Sequence, residues 1–133
     1  EPRADSAKFE YGSRDMSVYG GLVVSLRMAN EIGIDNIALR SGELATRLKG
    51  RISDMADVDL LTPVDPNRST GIVALNTERL GHTNPAKWMW EDHRVLAAGK
   101  FSNWMRFCIP YFTLEEEVDR AADLLASLHE VEA

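Results

Sequence analysis

The stretch NWMRFCIPYFTLEEEVDR, Asn103 to Arg120, constrains the fold more than any other part of the chain. Side chains alternate across a β-strand. Met105, Phe107 and Ile109 therefore share one face, which is wholly apolar, and Trp104, Arg106 and Cys108 share the other. The first of these is a core face. The right half of the stretch marks a helix start: Thr113 and Glu116 stand at capping-box spacing, and three consecutive glutamates suit the positive end of a helix. Val118, Ala121, Leu125 and Leu128 then supply a buried stripe. A strand with one dry face leading into an amphipathic helix predicts a layered α+β arrangement.

The rest of the chain fits that frame. After a YGSRD turn, Val18, Leu22, Leu26, Ala29 and Ile32 recur at helical spacing, and Gly33 is a natural helix stop. A second helix is expected from Asp35, its N-cap, with a stripe of Ile37, Leu44, Leu48, Ile52 and Met55. DVDLLTP and TGIVALN read as short strands around a VDPNRS turn. LGHTNPAKWMWEDHR holds a third helix, capped by Asn84 with Pro85 in its first turn. RVLAAG and NWMRFCI read as two strands of a hairpin through GKFS. The order α, α, β, β, α, β, β, α predicts a small, mostly antiparallel sheet with helices over one face. Residues 1–13 are expected to form an N-terminal arm, extended or disordered over its first ten residues with Phe9 able to dock, and 14–133 a single α+β domain.

Composition narrows the function classes. The 133 residues carry a net charge of -6, which argues against a nucleic-acid partner. No apolar run approaches the roughly 20 residues that span a bilayer, so no membrane partner is expected, and no signal peptide is recognised. The single cysteine, Cys108, excludes an internal disulfide and fits a reducing, cytoplasmic setting. The chain opens on EPRADSAKFEYG without a methionine, so it is expected to be processed or cut from something longer.

The residues that carry chemistry are few. His82, His93 and His129 lack paired spacing, so no metal site is expected, and His93 reads as a helix-end histidine. There is no phosphate-cradling glycine loop of the Walker or dinucleotide type. Cys108 has no neighbouring base and reads as a buried small hydrophobe. Gly12 and Ser13, just before the first helix, have the setting of an anion site at a helix N-terminus, but Ser13 or Asp15 serving as a simple cap explains the same residues. Arg106 has the fork suited to bidentate carboxylate or phosphate binding. Its face could meet water, another chain or a ligand, and a snorkelling surface arginine is the plain alternative.

Three landmarks in order resemble the C-terminal small domain of the class V aminotransferase family: KFEYGSRD before the first helix, LLTP followed by TGIV in the middle, and RFCIPYFTLEEEVDR near the end. The GSRD run looks closest to the isopenicillin N epimerase-like branch, with the cysteine desulfurases as relatives. The resemblance implies a pyridoxal-phosphate enzyme of the aspartate aminotransferase fold type. Arg106 would pair with the carboxylate of a small amino-acid-like substrate, while Gly12 and Ser13 would reach across a homodimer to hold the cofactor phosphate. Ser13 replaces the family's threonine, and Cys108 the serine that usually follows the arginine. The Schiff-base lysine belongs to a large domain absent from this chain, so pyridoxal 5'-phosphate is expected in the parent enzyme and not on this chain alone, which is expected to be non-catalytic. The mobile-loop cysteine of the desulfurases has no counterpart in ERLGHTNPAKW, which favours epimerisation, transamination or lyase chemistry. The alternative is a free-standing α+β binding or regulatory module in which Arg106 takes a small carboxylate or an acidic partner.

Overall fold

The computed structural model describes residues 4–5, 15–99 and 103–128. Gly12, Ser13, Phe9, nearly all of the arm, His129 and the centre of the GKFS turn lie outside the described residues. The chain divides into two compact units, the first ending at Ile34 and the second beginning at Asp35.

The first unit contributes α1 (Met16–Ile32). Asp15 is its N-cap: a side-chain oxygen accepts the Ser17 N–H at 2.9 Å, which satisfies an otherwise orphaned donor. The same oxygen accepts the Ser17 hydroxyl, and this bond above all holds the Asp15 carboxyl below its ordinary range. The helix ends as expected at Gly33, whose φ of 93° suits glycine and whose N–H donates to Ala29 O at 3.0 Å. None of the residues of α1 is buried.

The second unit is α+β. It contains α2 (Ile34–Ser53, but for its first residue), β1 (Asp59–Leu60), β2 (Ile72–Asn76), α3 (Pro85–His93), β3 (Trp104–Cys108) and α4 (Glu115–Ser127). The strands form an antiparallel sheet in the order β1-β2-β3. Val73 and Leu75 of β2, with Met105 and Phe107 of β3, turn to the core side. There they join Leu44, Leu48 and Ile52 of α2, Met89 of α3, and Val118, Ala122 and Leu125 of α4 in one apolar cluster. Each fully buried leucine, isoleucine, valine or methionine among them contributes roughly 1.5–3 kcal/mol of transfer free energy. Ion pairs stitch α2 to α4 on the solvent side: Arg40 to Glu115, Arg47 to Asp119 at 2.7 Å, and Arg51 to Asp123.

Three local expectations shift. The second helix begins at Ile34, so Asp35 lies in its first turn and is not its cap. The cap of α4 moves by one residue. Thr113 belongs to the preceding turn, its N–H donating to Pro110 O at 3.1 Å, and Glu117, not Glu116, reaches back to accept the Leu114 N–H at 2.8 Å. RVLAAG does not form a full strand. Its start is used by the end of α3: Val95 N–H donates to Met89 O, and only Ala98 pairs with Arg106, in an isolated bridge. Asn84 and Pro85 do start α3, Asn84 accepting the Lys87 N–H at 3.0 Å.

Candidate functional site

The alternation of β3 holds residue by residue. Met105, Phe107 and Ile109 are buried, while Trp104, Arg106 and Cys108 are exposed. The antiparallel register extends the exposed face onto β2, with Ala74 opposite Arg106, Asn76 opposite Trp104 and Ile72 opposite Cys108. Helices fill the other side of the sheet, so this face is the open one. Ile72 and Trp104 leave nearly half of their surfaces uncovered. The result is a strip of apolar surface with a guanidinium at its centre.

Arg106 is fixed by its backbone on both edges. It pairs with Ala74 on one side, and on the other its N–H donates to Ala98 O at 2.7 Å while its carbonyl accepts the Ala98 N–H at 2.9 Å. Its guanidinium has no hydrogen bond or ion pair among the described residues, in contrast to Arg40, Arg47, Arg51 and Arg79, each of which meets a carboxylate. A rigid strand therefore carries an uncommitted planar fork, which can take a carboxylate through two parallel N–H bonds. Trp104 and Cys108 flank it, each ~7 Å along the strand. Cys108 is exposed, not buried as its size suggested, because it falls on the same face as Arg106.

Gly71, from the TGIV run, closes the end of this ladder: its carbonyl accepts the Ile109 N–H at 2.7 Å. A Cβ at Gly71 would come within 2.6 Å of Ile109 O, so the approach needs glycine. The LLTP run is held from beneath by a residue that periodicity alone did not single out. Lys49 of α2 is 1% exposed, and its ammonium donates to Pro63 O, Val64 O and Ser69 Oγ at 3.1, 3.0 and 2.7 Å. Three donors meet three acceptors, which offsets the cost of burying the charge. The signal available in the sequence was position: Lys49 follows Leu48 and stands four residues after Ala45 on the buried side of α2.

His93 ends α3 as expected and packs edge-on against Trp88, ring centroids 4.3 Å apart. Among the described residues no group of His, Cys, Asp and Glu could hold a metal ion, and no helix is long and apolar enough to cross a membrane.

The sequence profile of the family described as aminotransferase class-V matches residues 3–120. Isopenicillin N epimerase of Streptomyces clavuligerus is 32% identical over 124 residues, which cover 88% of this chain and 30% of that protein. The chain thus spans about a third of the length of the curated relative it matches.

Proposed function

This chain belongs to the class-V aminotransferase family, and from that premise we propose that it is the small-domain portion of a pyridoxal-phosphate enzyme acting on an amino-acid-like substrate, in which Arg106 receives the substrate carboxylate. The observation that carries this reading is the uncommitted guanidinium of Arg106 on the open sheet face. A family member with a carboxylate to bind needs a fixed, unpaired, planar cation, and Arg106 answers that description. On an amino-acid-like substrate, epimerisation, transamination and lyase chemistry would each have such a carboxylate to anchor. The branch favoured by the GSRD run is the epimerase-like one, in keeping with the relative named above.

In the same proposal a large domain, not represented in these residues, covers the open face, and Gly12 and Ser13 contact the cofactor phosphate across a homodimer. Of the described lysines, Lys49 is spent on three internal acceptors and Lys87 lies at the surface beside Glu91. In this proposal the chain's share in cofactor binding is assigned to Gly12 and Ser13, which lie outside the described residues.

The test is steady-state kinetics of Arg106→Lys in the enzyme that contains both domains. A hydrogen bond to a charged group is worth about 1.5–3 kcal/mol, so kcat/KM should fall roughly ten- to a hundredfold with folding intact, because an ammonium cannot make the paired planar contact. Wild-type efficiency in that variant would show Arg106 to be a surface arginine only.

A further inference from the structure

A groove of about 590 Å³ lies between the end of β3, the start of α4, the turn before it and the segment after α3, with Cys108 among its lining residues and Arg106 not. That volume is in the range of small-molecule sites. Its floor is apolar, with Phe107, Ile109 and Val118 among the lining residues, and its rim carries Leu96 and Phe112, which are 76% and 71% exposed. Large apolar side chains held this far into water beside a concave apolar floor mark a surface that is built to be covered.

Two arginines line the same groove. Arg94 is the one non-glycine residue with positive φ among the described residues, at 58°, a conformation that a long side chain adopts at a cost. Its guanidinium lies over the Trp90 ring, 5.6 Å from the centroid. Arg120 donates to His93 O at 2.9 Å, and among the described residues its guanidinium meets no carboxylate. Neither Arg94 nor Arg120 has an acidic partner among the described residues, although Arg40, Arg47 and Arg51 in the same unit all do. The acidic residue in the groove lining, Glu117, is turned back onto the Leu114 N–H at the start of α4, where the helix end offsets its charge.

We infer that this groove is a binding site for a small amphipathic carboxylate, with the chemistry of a medium-chain fatty acid, its chain on the Phe107–Ile109 floor and its head group toward Arg94 and Arg120. The inference does not depend on the role of Arg106. An apolar floor alone would take a neutral chain equally well, and it is the two lining arginines, without acidic partners among the described residues, that favour an anion.

The experiment is amide NMR titration of the 133-residue chain with decanoate below its micelle-forming concentration, and with decanol and acetate as controls. Decanoate should perturb Val95, Phe107, Ile109 and Thr113 together, and decanol and acetate should bind at least about tenfold more weakly. Two substitutions suit the fold. Arg94→Gly places at φ 58° the residue that favours it, and Phe112→Ala alters a side chain that is mostly in water. Each should weaken decanoate roughly tenfold while leaving the unperturbed spectrum dispersed. Equal affinity for decanol, unchanged decanoate binding in Arg94→Gly, or perturbations centred away from these residues would overturn the assignment.

Discussion

Helices α1 and α2 make the most instructive pair in the molecule. By sequence α1 is the more apolar: Val18, Leu22, Val23, Val24, Leu26 and Met28 crowd its 17 residues, with Arg27 and Glu31 as its charges. Yet it buries nothing, while the more polar α2 buries Leu44, Ala45, Leu48, Lys49 and Ile52. Apolar content measures what a helix needs covered, and amphipathic placement measures what its own unit can cover. The surface of α1 is apolar on more than one side, with Val18, Leu22, Val24, Leu26 and Met28 each more than half exposed.

Substitutions can break or sharpen this contrast. The largest effect is expected from Leu48→Ala in α2, which empties a fully buried position and should cost about 2–5 kcal/mol in urea unfolding; a loss under 1 kcal/mol would mean that the cluster around α2 is not the core. Lys49→Met comes next. It leaves Pro63 O, Val64 O and Ser69 Oγ without their donor, so about 1–3 kcal/mol should be lost, and amide exchange should quicken over residues 61–70 more than over α4. Exchange speeding equally everywhere would show that the ammonium does not hold that loop in particular.

Acid is the third probe. The side-chain hydrogen bond from Arg47 holds the Asp119 carboxyl below its ordinary value of 3.8. A carboxyl depressed on folding stabilises the native state fully above its unfolded pKa, and that contribution fades as pH falls through the folded one. Stability should therefore drop below about pH 4, and Asp119→Asn should flatten the acid limb by a small amount, since the pair is exposed and salt-screened. An unchanged acid limb would remove Arg47–Asp119 from the account. The smallest effect belongs to α1: Leu22→Ala should change unfolding free energy by less than about 0.5 kcal/mol, and a core-sized loss there would contradict the exposure of that helix.

How far these features were legible depended on their range. The two faces of β3, the stripe of α4 and the Asn84–Pro85 start of α3 follow from local geometry, and the sequence carried them residue by residue. The cap of α4 slipped from Thr113 to Leu114 because a turn hydrogen bond to Pro110 competes for Thr113, a contest that spacing does not display. RVLAAG looked like a strand because its composition is right, but the end of α3 takes the Val95 N–H first. Arg106 could be placed on a face from its own strand. That its guanidinium stays unpaired while Arg47 and Arg51 find carboxylates 72 residues away depends on how α4 lies against α2, which no local pattern encodes. The groove with Arg94 and Arg120 was invisible for the same reason.

The single thiol of the chain sits two residues from Arg106, on the same exposed face. That placement makes the sheet a self-reporting surface. An alkylating reagent can react at Cys108 without entering the core, so its rate follows local access to the sulfur, which also lines the groove beside Phe107 and Ile109, and not global unfolding. Anything seated over Arg106, whether protein or small molecule, shades the sulfur as well, and the chain needs no engineered label to show when its open side has been closed.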